Sequence, residues 1–330
     1  MSARPTPGDT PAETPANHDE RPAGAGDLAH ELARLDTERS RPDLRLETMD
    51  VAGLVAAQLE NDRAVQQAVE AAAPQITAAL EAVVARLEAG GRLVYVGAGT
   101  PGRLAVLDAA ECLPTFGAGP ETVTALMAGG EDAMITAVEG AEDDARAGAA
   151  DVRAAGVGPR DVVVGITASG RTPYVVAAVT AAREEGAATV GITNNAGTAL
   201  AAAAEHPIET LTGPELVAGS TRLKAGTAQK QVLNMLSTIA MIRLGKVYGN
   251  LMVDVHVTNE KLRVRGQRIV MEATGAGPEE AEGALAAAGG HAKVAIAALL
   301  LDVAAGRARE LLDAAGGHLG AVLPGQGAGR

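Results

Sequence analysis

The chain has 330 residues, 47% of them hydrophobic and 21% charged, enough to bury one large core and a smaller satellite. A formal net charge of −13, with one Phe, three Tyr and no Trp, argues against nucleic acid as a partner, since phosphate backbones need a basic face and unpaired bases need aromatic platforms. A small anionic ligand stays compatible, because a local pocket can be positive on a negative surface.

Residues 1–27 are rich in Pro, Ala, Gly and Thr without an apolar period, and are expected to form a disordered tail. Helical periodicity begins near Leu28, recurs at Val51, Leu54, Val55 and Leu59, and again at Ile76, Leu80, Val83, Val84 and Leu87, where Gly90-Gly91 stops it. Five short apolar runs follow, at 93–96, 122–126, 162–166, 189–192 and 207–211, each separated from the next by a helical stretch. That alternation predicts an α/β fold with a parallel five-stranded sheet flanked by helices. Residues 224–246 read as a long helix buried on more than one side. The Ala/Leu-rich stretches around 278–287, 291–304 and 307–315, divided by glycines, read as a small helical appendage that needs the main body or a second subunit to pack against. The expected division is a tail over 1–27, a ligand-binding domain with N-terminal helices over 28–265 and a C-terminal helical region over 266–330.

The single cysteine, Cys112, fits a reducing compartment and reads as a small buried helical residue. No apolar run reaches the ~18 residues of a membrane span, and the N-terminus lacks a basic-then-apolar signal pattern, so a cytoplasmic protein without membrane contact is expected. The six histidines are scattered and no Cys/His cluster exists; no metal is expected.

Two glycine-rich turns carry the most information. Gly97-Ala98-Gly99-Thr100-Pro101-Gly102-Arg103 and Thr167-Ala168-Ser169-Gly170-Arg171-Thr172 each follow a β-branched run and precede a helical segment. Such a turn aims unpaired backbone N–H groups and the positive helix end at one point, and Ser, Thr and Arg there favour an anion such as phosphate. In an open parallel sheet both turns fall beyond the carboxyl ends of the strands, where ligands bind. Gly97, Gly99 and Gly102 also satisfy the dinucleotide fingerprint. That reading needs an acidic residue near the end of the second strand, where Ala128-Gly129-Gly130 stands instead, and it leaves the second turn unexplained. Glu111 lies beside apolar Leu107, Cys112 and Leu113, whereas Glu142 sits in the acidic run Glu139, Glu142, Asp143, Asp144, which by itself reads as a solvated face. The residues alone point to a phosphorylated small molecule held by backbone and hydroxyls, with carboxylates moving protons.

At these residues the chain resembles a known family. Val96 to Leu104, Leu107-Asp108-Ala109-Ala110-Glu111-Cys112, Val138-Glu139-Gly140-Ala141-Glu142-Asp143, Ala168 to Tyr174, and Lys224-Ala225-Gly226-Thr227-Ala228-Gln229-Lys230 together resemble N-acetylmuramic acid 6-phosphate etherases. Gly249 to Asp254 and Thr258-Asn259-Glu260-Lys261-Leu262 extend the match. The resemblance implies a sugar isomerase (SIS) domain with a C-terminal helical region, a homodimer, and removal of the D-lactyl ether from N-acetylmuramic acid 6-phosphate, giving N-acetylglucosamine 6-phosphate and D-lactate during cell-wall recycling. It implies Glu111 and Glu142 as the catalytic pair, with Glu111 the proton donor and no cofactor. Substrate and phosphate binding is expected from Gly99, Thr100, Arg103, Ser169, Gly170, Arg171 and Thr172, joined by Ser220, Thr221 and Lys224; a surface salt bridge is the competing reading of Arg103.

The substrate's chemistry fits two carboxyls. In the open-chain sugar the lactyl oxygen is β to an aldehyde, so removing the C2 proton makes the C3–O bond breakable. One carboxylate accepts that proton and a second carboxyl, kept protonated by burial, donates to the departing oxygen. Water then adds at C3. Two departures from the family pattern stand out: Pro101 replaces a serine, removing a hydroxyl and a backbone N–H, and Ser40 replaces an asparagine after Thr37-Glu38-Arg39. The competing functions are a sugar-phosphate sensor, which needs no glutamate pair, and an aldose–ketose isomerase, which needs a glutamate base but not the blocks around Glu111 and Glu142.

Overall fold

The computed structural model describes residues 32–255 and 260–323. The expected tail over 1–27 and the Thr258-Asn259 pair lie outside the described residues. After two short 3-10 turns at Asp36–Glu38 and Leu46–Thr48, helix α1 (Val51–Ala71) opens on Asp50, whose carboxylate accepts from the Gly53 N–H. This is the usual way to satisfy an orphan amide of a first turn. Next come α2 (Ala73–Glu88), β1 (Leu93–Gly97), α3 (Gly99–Phe116), β2 (Val123–Met127), α4 (Ala145–Ala154), β3 (Val162–Ile166), α5 (Pro173–Glu184), β4 (Ala188–Thr193), α6 (Ala199–Ala203), β5 (His206–Glu209) and α7 (Lys224–Arg243).

The five strands form one parallel sheet in the order β2-β1-β3-β4-β5. Alternation of side chains divides its core in two. Leu93, Tyr95, Val162, Val164, Ile166, Val190, Ile192 and Ile208 pack with α1, α2, α3 and α7, while Val94, Val96 and Val163 pack with α4, α5 and α6. With both faces covered, the strands can be continuous apolar runs. The observed architecture is therefore the expected SIS-type α/β sheet flanked by helices, with a helical C-terminal region.

One buried polar node ties the first glycine turn's helix to the body. The Asp108 carboxylate, on α3, accepts from the Tyr95 hydroxyl of β1 (2.8 Å), from the Asn234 amide (2.6 Å) and from the Ser237 hydroxyl (3.2 Å) of α7. Burial, then the Asp108 charge, keeps the Tyr95 phenol far above its ordinary range. The same two influences push the Cys112 thiol up to about 12, an inert core thiol rather than a nucleophile.

Beyond α7, a small antiparallel hairpin, β6 (Val247–Tyr248) with β7 (Leu251–Met252), leads into α8 (Glu260–Thr274), α9 (Pro278–Ala287), α10 (Ala292–Leu301), α11 (Ala305–Ala314) and α12 (Leu319–Val322). These share a separate core around Val253, Val255, Val270, Leu285, Ile296 and Leu312. Asp254 links it to the body. Its carboxylate accepts from Lys246 (2.9 Å), just after α7, and from buried Lys293 (2.8 Å), which also donates to the Gly317 carbonyl (3.0 Å).

Replacing Asp108 by alanine strands two buried donors, Tyr95 and Ser237, and the half-buried Asn234 amide at once. The expected loss is about 3 kcal/mol or more of folding stability, seen as a lower urea midpoint at an unchanged slope. A midpoint within error of the parent would show that α3 is held by packing alone.

Candidate active site

β1 and β3 are neighbours with Gly97 opposite Ile166, so the chain leaves both strands at the same level and the two glycine turns lie side by side. From β1 the chain crosses to β2 on one side and from β3 to β4 on the other, which makes this edge the switch point of the sheet, where open α/β proteins bind ligands.

The first turn is shaped by close approach. A Cβ on Gly97 would stand 2.7 Å from the Gly102 nitrogen, and one on Gly102 would stand 2.9 Å from the Gly97 oxygen. The fingerprint-like spacing thus serves contact between β1 and the first turn of α3, with no need of a dinucleotide. Pro101 sits in that first turn, where helix N–H groups have no intrahelical partner and proline costs the helix nothing; what the substitution removes is a hydroxyl and one of the N–H groups free to meet an anion. In the second turn Gly170 has φ +68°, and a Cβ there would fall 2.3 Å from Thr198. The Thr167 hydroxyl lies 2.7 Å from that of Thr172 and 3.3 Å from that of Ser169, which accepts from the Arg171 N–H at 3.3 Å. Three hydroxyls are therefore gathered at the start of α5, beside the start of α3.

A third helix start joins them. A Cβ on Gly226, in the first turn of α7, would touch the Thr100 methyl at 3.4 Å, and the Thr221 carbonyl accepts from the Gly226 N–H at 2.9 Å. Ser220 and Thr221 are half-buried in the loop leading to it. The Lys224 ammonium points to α1, donating to the Asn61 carbonyl oxygen at 3.2 Å, and burial pushes it below the ordinary lysine range. Buried Glu215 accepts from the Lys224 and Ala225 N–H groups at 3.2 and 2.9 Å, so this helix start already holds an internal carboxylate.

The catalytic candidates are divided in space. Glu142, exposed in the short 3-10 segment Ala141–Asp143, lines a cavity of about 250 Å³ together with Gly99, Arg103, Ala128, Val138 and Glu139. Arg103 is pinned there, with Nε donating to the Met134 carbonyl (3.0 Å) and Nη2 to the Ala133 carbonyl (2.7 Å), instead of forming a surface salt bridge. Glu111 does not line that cavity. It lies on the exposed face of α3, twelve residues beyond Gly99, about 18 Å along the axis, flanked by Leu107 and Leu113, each 53% exposed. A roomier cavity of about 450 Å³ opens elsewhere, between Gly90-Gly91 and Lys293, but neither glycine turn nor either glutamate reaches it, so volume alone is a poor guide here.

Sequence reading missed the residues that hold the turns in place. Asn195, just after β4, donates to the Ala168 carbonyl of the second turn and to the Thr37 hydroxyl, both at 2.9 Å. Thr37, fully buried, accepts through its carbonyl from the Gly219 N–H at 3.2 Å. One N-terminal residue therefore braces both the second turn and the loop carrying Ser220 and Thr221. Thr37 begins the Thr37-Glu38-Arg39 stretch; that stretch was visible in the sequence, while the partner of Thr37, 158 positions away, was not.

Burial raises the Glu215 carboxyl above its ordinary 4.5, against the opposing pull of the two amides and Lys224. The folded chain holds that proton more tightly than the unfolded one. Its contribution to stability is complete below pH 4.5 and is lost as pH rises through the folded value. The stability advantage of the parent over Glu215→Gln is expected to narrow with rising pH across that interval in urea titrations; a widening gap would reverse the assignment of burial as the dominant influence.

The chain is similar to several known proteins. The glucokinase regulatory protein N-terminal SIS domain matches residues 75–183, and the general SIS domain matches residues 145–239. The N-acetylmuramic acid 6-phosphate etherase of Streptomyces coelicolor is 56% identical over 301 residues, covering 90% of this chain and 96% of that protein. The etherase of Rubrobacter xylanophilus is 55% identical over 300 residues, covering 91% and 98%. Among solved structures, a phosphoheptose isomerase from Francisella tularensis covers 59% of this chain and 100% of its own, at 24% identity and a TM-score of 0.48. With more than half of its residues shared over nearly the whole length of such relatives, the chain belongs to the N-acetylmuramic acid 6-phosphate etherase family.

Proposed function

We propose that this protein cleaves the D-lactyl ether of N-acetylmuramic acid 6-phosphate by elimination and hydration, giving N-acetylglucosamine 6-phosphate and D-lactate in amino-sugar recycling. It is a carbon–oxygen lyase that draws on its own carboxyls and on no cofactor. The observation that carries the reading is the junction of two hydroxyl-lined helix starts with a cavity holding Glu142. The phosphate sits at the turns, held by the Gly99, Thr100 and Gly170 backbone and by Ser169, Arg171 and Thr172, with Ser220 and Thr221 closing one side. Lys224 acts from behind, holding the α7 start against Asn61. The sugar then extends from the phosphate toward the cavity, placing its C2–C3 bond near Glu142.

Glu111 reaches that bond from a second copy of the chain. Its exposed position between two exposed leucines suits a helix face covered by a partner, and such coverage supplies the desolvation a general acid needs. With Glu142 taking the C2 proton, Glu111 hands its proton to the lactyl oxygen as C3–O breaks; the unsaturated aldehyde then takes up water at C3 with the two groups working in reverse. A homodimer with shared sites follows. No single helix among the described residues is long and apolar enough to cross a membrane, in keeping with a cytoplasmic enzyme.

Purified protein is expected to release D-lactate from N-acetylmuramic acid 6-phosphate, with solvent ¹⁸O appearing on C3 of the sugar; label in lactate would mean cleavage on the other side of the ether, and no lactate would leave a sugar-phosphate receptor. Glu111→Gln and Glu142→Gln are each expected to lose ~10²-fold or more in turnover. Co-expressed and co-purified, the two inactive variants should recover about a quarter of the parent rate through mixed dimers. Recovery near zero would place both glutamates of one site on one chain.

A further inference from the structure

The substrate proposed above carries two anions, and the glycine turns account for one. The other is the lactyl carboxylate, attached through the ether at C3 and therefore bound to enter whatever space surrounds the C3–O bond. In this chain that space is the cavity beside Glu142. Its charged lining consists of Glu139, Glu142 and Arg103. A carboxylate brought among two glutamates is repelled unless a fixed cation stands with it, and Arg103 is the cation present.

The position of Arg103 separates it from the phosphate. Its two backbone acceptors, Ala133 and Met134, lie in the 3-10 segment Glu131–Met134 that follows β2, on the outer side of β1, whereas the hydroxyls of the second turn gather on the β3 side. β2 and β3 flank β1, so the two positions are about two strand spacings, ~10 Å, apart, far enough for a sugar to lie between the phosphate and the lactyl carboxylate. The side chain is also preorganised. Those two hydrogen bonds use two of the five guanidinium donors and fix its plane, leaving three N–H groups for the cavity it lines. A planar fork of this kind matches a carboxylate.

We infer that Arg103 is the specificity-determining residue for the lactyl carboxylate, and that it selects ethers bearing an anion on the C3 substituent over neutral ones. This rests on the etherase reading. It assigns the charge of Arg103 to the leaving group instead of to the phosphate, and it gives the pinned guanidinium a task beyond bracing the 131–134 segment.

The test compares two substrates, N-acetylmuramic acid 6-phosphate and its lactyl amide, which keeps the ether and the phosphate but removes the negative charge. The parent enzyme is expected to favour the acid by about 100-fold in kcat/KM, the size of a charge-assisted pair in a shielded site. Arg103→Met also drops the two bonds to the 131–134 segment; it should therefore lose activity on both substrates but about 100-fold more on the acid than on the amide, so that the preference collapses. Arg103→Lys, which keeps the charge without the fork, should retain part of it. Equal losses on both substrates would show that Arg103 only braces the loop, and an unchanged preference would put the carboxylate elsewhere; either overturns the inference while leaving the etherase reading intact. Absence of D-lactate from the parent enzyme with either substrate would overturn both.

Discussion

The parallel pairing of β1 with β3 is the constraint from which the site follows. Neither glycine turn is distinctive alone, since a strand-to-helix turn with small and hydroxylated residues recurs in many α/β proteins. Gly97 opposite Ile166 brings the two turns to one edge at one height, and the first turn of α7, whose amides are already engaged by Glu215 and Thr221, packs against Thr100 without adding free donors. Partial positive charge from backbone amides then converges on a small volume without a cluster of lysines, which is how a chain of net charge −13 can hold a phosphate. Shifting this pairing by one residue would exchange the side chains β3 sends to its two packed faces and put a bulky residue where Gly165 lies against Val175 and Val179, so the packing that fixes the core also fixes the site.

Buried polar groups supply the finer positioning. Asp108 draws β1, α3 and α7 together through Tyr95, Asn234 and Ser237, and Asn195 with Thr37 connects the end of β4, the second turn and the N-terminal segment. Both networks carry long-range bonds that a merely apolar core would not specify, and their failure would cost more than the bonds are worth, because each leaves a desolvated partner behind. Asp108 stands three residues before Glu111 on the same helix, so the node that holds α3 also sets where Glu111 is presented.

The fold was largely legible because it is periodic. All five β-branched runs became strands, with shifts of one or two residues at their ends, and the helix read over 224–246 became α7 with Val232, Leu233 and Leu236 fully buried. The candidate site was legible where chemistry is local, as in the two turns. It was not legible where one residue's meaning depends on a distant partner. Lys224 reads as a phosphate ligand from its neighbours in sequence, which give no sign of its bond to Asn61, 163 positions away. Thr37 and Asn195 have no periodicity or spacing to betray them, and the hairpin Val247–Tyr248 with Leu251–Met252 was too short to leave a pattern.

The separation of Glu111 from Glu142 is best understood through the different demands on an acid and a base. A carboxylate that must take a proton can sit in a solvated, acidic neighbourhood, and Glu142 does, next to Asp143 and Asp144. A carboxyl that must give one at neutral pH needs a drier place with fewer like charges. In the dimer proposed above, with Glu142 lining the cavity and Glu111 on an exposed helix face between exposed leucines, assembly of two copies would dry Glu111 and so create the contrast.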